Sequence, residues 1–205
     1  LFNTAVVAGG TYYLFVLKGH SLPSALNVVS RIASERWFRE EPDDVAADIL
    51  PTIVSSFDGF ETWSSVRQAD ALRHWVYSNC VMKAYIEGTT GQYNTGVVLR
   101  QLADASSGKS EPPHLICAPR ALALKAIYHV KGWEVRMAHI YSDDYPEIRS
   151  HTFLEYFDPA LEEWVIEDPT FDITYVNDLG SRITTSTLVF QETNAIPLGW
   201  NGVTG

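Results

Sequence analysis

Three reactive side chains, Cys117, His151 and Asp168, stand in an order that suits nucleophilic chemistry. Cys117 opens a run of helix formers just before Pro119. His151 opens a strand-like segment, and Asp168 closes the next one, ahead of Pro169 and Thr170. A thiol attacks as its thiolate, and the positive end of a helix dipole favours negative charge there. The nucleophile also needs a base, and the base needs a third group to fix its tautomer. With Phe157 and Glu163 flanking a hairpin, His151 and Asp168 fall at the same open end of it, close enough for contact across adjacent antiparallel strands.

The elements that must position this trio are readable from periodicity. Ser21-Leu22-Pro23 starts a helix carrying Leu22, Leu26, Val29, Ala33 and Trp37. Asp43 and Asp44 suit the first turn of a second helix with Val45, Ile49 and Ile53, which Pro51 is expected to kink or break. A turn at Asp58-Gly59 precedes a long helix from Ser64 to Ile86, with Gly88 as its stop, and Val97 to Ala105 forms another. The helix that follows Cys117 runs to Lys131, stops at Gly132, and is apolar almost all round, which predicts a central, buried position. Beyond Gly132 the period changes to two. Strands are predicted over Trp133 to Tyr141, His151 to Phe157, Glu163 to Asp168 and Thr185 to Gln191, with a turn at Asp158-Pro159. Helices first and an antiparallel sheet second is an α+β layout.

The chain of 205 residues suits a single domain, here residues 18–205. A net charge of −10 argues against a nucleic-acid partner. The two cysteines make no disulfide scaffold, and the histidines show no zinc spacing, so neither a metal nor an organic cofactor is implied. Residues Leu1 to Leu17 are uncharged. They fit either the tail of a truncated membrane anchor, which would put the domain outside the cytoplasm, or a buried strand or helix of the domain. The two readings put the domain either outside the cytoplasm on a membrane anchor or in the cytoplasm.

The sequence resembles the transglutaminase-like cysteine protease superfamily. The resemblance lies in Cys117-Ala118-Pro119-Arg120-Ala121-Leu122-Ala123-Leu124, Lys131-Gly132-Trp133-Glu134-Val135-Arg136, His151-Thr152-Phe153-Leu154-Glu155-Tyr156 and Trp164-Val165-Ile166-Glu167-Asp168-Pro169-Thr170. An upstream helix with Ala71-Leu72-Arg73-His74-Trp75-Val76 extends it over residues 69–170. The chain departs from the family at Ile116, where members commonly have Gly. The resemblance implies a papain-like fold with Cys117 as nucleophile, His151 as general base and acid, and Asp168 orienting His151. It also implies an oxyanion hole made by the Cys117 N–H and an upstream side chain. Trp75, Asn79 and Gln92 can all donate, and Asn79 is preferred.

The implied reaction is acyl transfer through a Cys117 thioester, on a peptide or glutamine carboxamide of a protein or peptide substrate. Water would resolve the acyl-enzyme in a cysteine peptidase or amidase, an amine in a transglutaminase-type acyltransferase. The rival is a catalytically inactive binding or scaffold domain that kept the fold. Other readings are structural: Cys80 as a small hydrophobe, Glu134 and Arg136 as a solvated strand face, His114 and His139 as satisfied or exposed histidines. Asp172 is the alternative acid to Asp168, and Tyr141 to Arg149 a loop over the cleft.

Overall fold

The computed structural model describes residues 2–7, 10–16, 42–82, 94–142, 149–190 and 194–200. The predicted helix over 22–37, Gln92, and residues 143–148 of the predicted loop lie outside the described residues. In chain order the elements are β1 (Phe2–Val7), β2 (Gly10–Val16), α1 (Pro42–Ser55), a short 3-10 turn (Phe60–Thr62), α2 (Ser65–Ser78), β3 (Val81–Met82) and α3 (Thr95–Ser106). Then follow β4 (His114–Leu115), α4 (Cys117–Val130), β5 (Val135–Ser142), β6 (Arg149–Asp158), β7 (Glu163–Glu167), β8 (Ile173–Val176), α5 (Thr185–Phe190) and β9 (Ile196–Gly199).

The architecture is mixed α+β. A five-stranded sheet runs in the order β1-β2-β5-β6-β7, with two small two-stranded sheets beside it, β3-β4 and β8-β9. The main sheet is not wholly antiparallel as expected, because β2 pairs with β5 in parallel. The apolar N-terminal residues form the β1–β2 hairpin at one edge of this sheet. Among the described residues no helix is long and apolar enough to cross a membrane.

Helix α4 is the central element, as its all-round apolar character predicts. It lies on β5 and β6 while α1, α2 and α3 pack around it. Leu124, Ile127 and Tyr128 join Leu72, Val76, Leu99 and Leu102 of the neighbouring helices and Met137, Leu154, Tyr156 and Val165 of the sheet in the main core. Ala138, Phe153 and Ile166, with Ile183, form a second cluster on the other side. The helix ends where predicted. Gly132 adopts φ 80, and the Trp133 N–H returns to the Tyr128 carbonyl, 3.0 Å away, closing a Schellman-type stop.

Several elements differ from the sequence expectation, each for a local reason. Helix α2 stops at Ser78 rather than Ile86. Asn79 Nδ2 donates to the Trp75 carbonyl at 2.7 Å and Cys80 Sγ to that of Val76 at 3.1 Å, while the Val81 N–H is taken by the Pro113 carbonyl. The final turn is thus satisfied by side chains and the chain leaves as β3. Helix α1 continues through Pro51; Ala47, whose carbonyl that proline cannot serve, and Pro51 itself both face solvent. The predicted strand over 185–191 is instead the short helix α5. Thr184 Oγ1 accepts from the Thr187 N–H at 3.2 Å, and Glu155 Oε1 from the Thr185 N–H at 2.6 Å, so capping overrides the β-branched run. Arg136 is not simply solvated: its Nε meets buried Glu155 at 2.6 Å and its guanidinium lies 4.0 Å over the Trp164 ring.

Two cations, Arg120 and Lys125, interrupt the apolar surface of α4. Arg120 is fully buried, one turn after Cys117. Its Nε donates to the Leu115 carbonyl at 3.2 Å, and its Nη1 to those of Pro169 and Thr170 at 3.4 and 3.3 Å. The side chain therefore ties the segment before Cys117 to the turn after Asp168. Arg120→Met keeps most of the volume but leaves three buried carbonyls without this donor, and is expected to lower unfolding free energy by roughly 2–4 kcal/mol. Urea unfolding checks the value. Faster amide exchange at Ile173, whose N–H is bonded to the Asp168 carbonyl, checks the place.

Candidate active site

The start of α4 presents Cys117 with helix polarity in its favour. The N-cap is Ile116, which has no side-chain acceptor, so the first N–H groups of α4 stay uncapped by that residue. Pro119 in the first turn has no N–H to satisfy. A partly buried thiol at this position feels the positive end of the helix dipole.

His151 and Asp168 come from neighbouring strands. The β6–β7 register pairs Leu154 with Glu167, so Asp168 falls opposite Phe153 and diagonal to His151, on the same face. The contact is the cross-strand one expected, displaced by one step of the pleat. The gap is closed by the side chains: His151 Nε2 lies 2.6 Å from Asp168 Oδ2. A carboxylate accepts, so Nε2 carries the hydrogen, and Nδ1 is the ring nitrogen left for Cys117. Asp168 Oδ1 is occupied by the Thr170 N–H at 2.9 Å, and its backbone bridges to Ile173. The carboxylate is only 1% exposed, whereas the His151 side chain is 26% exposed.

Electrostatics couple the trio. Burial pulls the His151 pKa down, but hydrogen bonds and charges of Asp168 and Cys117 dominate and push it up to about 10. Burial pushes the Cys117 thiol up. The His151 hydrogen bond and charge, with the Thr152 backbone N–H and hydroxyl, more than offset it and leave the thiol more acidic than usual. Both shifts favour one species, a Cys117 thiolate beside a His151 imidazolium. Cys80 is the contrast. Its thiol bonds back to its own helix, and burial pushes it up to about 11 against a weaker pull from Arg120.

The remaining predicted residues are placed differently. Asn79, expected as second oxyanion donor, directs its amide hydrogens at the Trp75 carbonyl and, at 3.5 Å, at Ser78 Oγ, so it is engaged at its own helix end. Trp75 is a core residue. Asp172 does not approach His151. It meets His74 Nδ1 at 2.7 Å and Arg73 Nε at 3.2 Å, with φ 56. Arg73 also contacts Glu167 and Asp70, and these carboxylates outweigh the effect of burial and strengthen its hold on its proton.

Arg73, Arg120 and Thr152 support the site although no sequence motif marks a role for them. The signal for Arg120 is its place, since with Lys125 it is one of two full cations in a mostly apolar helix and it stands one turn after the thiol. His139, read as a bystander, is buried and lies 2.7 Å from Thr152 Oγ1 through Nδ1. Among the described residues no group of three or more His, Cys, Asp or Glu side chains is arranged to hold a metal.

No family model matches this chain, and no curated protein does. Among solved structures it is similar to a candidate cysteine protease from Cytophaga hutchinsonii, with a TM-score of 0.43 and 14% identity, over 70% of this chain and 42% of that one. The chain thus spans less than half the length of that protein. So distant a likeness carries no weight for the chemistry, which rests on the geometry of the site.

The pKa shifts have a consequence for stability. His151 holds its proton more tightly folded than unfolded, so its stabilisation is complete below its unfolded pKa of about 6.5 and is lost as pH rises towards about 10. In Cys117→Ala the opposite dependence of the thiolate is removed while Asp168 still raises His151. Urea stability of that variant is expected to fall as pH rises above about 6.5, and the fall should shrink when Asp168→Asn is added.

Proposed function

We propose that the protein is a transglutaminase-like cysteine peptidase or amidase that works through a thioester on Cys117. The observation that carries this reading is the bond of His151 Nε2 to Asp168, with the Cys117 thiol near enough to interact with the same ring. The motif resemblance over residues 69–170 supports it.

The chemistry follows from the groups present. The Cys117 thiolate adds to the carbonyl carbon of a peptide or glutamine carboxamide, and the electron pair moves to oxygen. The N–H of Cys117, at the start of α4, is the donor assigned to that oxyanion. As the tetrahedral species collapses, the C–N bond breaks and the His151 imidazolium gives its proton to the leaving amine or ammonia. Neutral His151 then takes a proton from water as it attacks the thioester. Collapse releases the carboxylic acid, and thiolate and imidazolium are restored. Asp168 keeps the imidazole in one tautomer and stabilises its charged form throughout. Transfer to an amine uses the same thioester with a different second nucleophile.

Alkylation of Cys117 by iodoacetamide near pH 7, mapped by mass spectrometry, separates this reading from an inert scaffold. Wild type is expected to react roughly tenfold faster than His151→Ala. Incubation with glutamine-containing peptides is expected to leave a hydroxylamine-sensitive acyl adduct on Cys117 and to release ammonia or an amine. A Cys117 that alkylates like an ordinary cysteine in both proteins, with no adduct, contradicts the proposal.

A further inference from the structure

The β5–β6 register places His139 opposite Thr152. The Phe157 N–H bonds to the Glu134 carbonyl, so by alternation the Phe157, Glu155, Phe153 and His151 backbone groups face β5, while those of Thr152 face the β7 side. His139 and Thr152 are thus a non-hydrogen-bonded pair, in which side chains approach most closely. Strand β7 has already ended at this level: its last pair is Leu154 with Glu167. At the level of Thr152 the chain has passed Asp168 and reached Pro169, which has no N–H and whose carbonyl is held by Arg120. The Thr152 edge of β6 is left open towards Cys117, whose thiol is made more acidic by both the backbone N–H and the hydroxyl of Thr152. His151 reaches the same sulfur from the other side of the strand.

From this geometry, and resting on the role given to Cys117 above, we propose that His139 and Thr152 form a positioning relay that aims a hydroxyl donor at the nucleophile. His139 Nδ1–H donates to Thr152 Oγ1, and the Thr152 hydroxyl, thereby committed as a donor in the other direction, hydrogen-bonds the Cys117 thiolate. The opposite tautomer is disfavoured by the surroundings of the ring. His139 Nε2 is buried without a hydrogen-bond partner, and an orphaned N–H is rarer and costlier there than an orphaned acceptor nitrogen. The imidazole also stays neutral, because burial and the nearby His151 charge hold its pKa down to about 4. A doubly protonated ring would bury an unpartnered cation beside His151. The charged and titratable groups that bear on the relay are His151 and Cys117, with Asp168 behind His151. His139 and Thr152 are positioning residues: they fix the charge and direction of the sulfur, and need not touch substrate.

The test is the pH profile of Cys117 alkylation in the full chain, with folding checked by near-ultraviolet circular dichroism. Thr152→Val, which keeps the shape and removes the hydroxyl, is expected to raise the midpoint by roughly one unit. Thr152→Ser should restore it. His139→Leu removes the donor that orients the hydroxyl and its orphaned nitrogen, so it should fold and show a smaller rise. His139→Asn, which keeps an N–H near the place of Nδ1, should return the midpoint towards wild type. A wild-type profile that is acid-shifted and depends on His151, with Thr152→Val superimposed on it, overturns the relay and leaves the thioester chemistry standing. A wild-type profile like that of a free thiol, insensitive to His151→Ala, overturns both.

Discussion

The buried guanidinium of Arg120 joins two stretches of chain that are far apart in sequence and must meet for the site to exist. One is the Leu115 carbonyl just ahead of Cys117, and the other is the pair of carbonyls that follow Asp168. A cation in the interior is costly unless its donors are satisfied, and buried backbone carbonyls of a tight turn add a smaller cost when left without donors. Nε and Nη1 of the guanidinium serve these three carbonyls, while Nη2 stays buried without a hydrogen-bond partner. Arg73 braces the same turn from α2, through the carboxylates of Glu167 and Asp172 that flank it. The left-handed backbone of Asp172, unusual for a residue with a Cβ, is held by Arg73 and His74. The loop carrying Asp168 is thus clamped between two helices, and the carboxylate that meets His151 has little freedom to turn away.

Within that frame, identical residue types acquire opposite character from their neighbours. Cys80 and Cys117 are both partly buried and both free. Cys80 faces its own helix carbonyls and is held protonated, whereas Cys117 faces His151 and the donors of Thr152. His151 gains a proton through Asp168, while His139, one strand away without a carboxylate, is kept neutral. The protonation state of each group depends less on its being a thiol or an imidazole than on which of each pair has a charged or polarised partner.

Much of the site was legible in the sequence, because its parts are set by local rules. Cys117 before Pro119 and the stop at Gly132 mark the two ends of α4, and Asp158-Pro159 marks the hairpin that brings His151 towards Asp168. Asp158 makes that turn as its type implies, accepting the Ala160 and Leu161 N–H groups at 2.8 and 3.1 Å. What escaped was decided at a distance. The stop at Asn79 depends on side chains folding back to Trp75 and Val76, and on Pro113 receiving the next strand. Helix α5 owes part of its start to Glu155, thirty residues earlier. Thr152 gains its meaning from the register with His139 and from the end of β7, and no spacing within one strand contains either fact.

The proposed chemistry needs one electrostatic state, a His151 imidazolium held between Asp168 and the Cys117 thiolate. An NMR titration of the His151 ring in the full chain, assigned with His151→Gln, observes that state directly. Protonation persisting to about pH 10 is the predicted result. A ring that titrates near its ordinary value of about 6.5 would contradict the account.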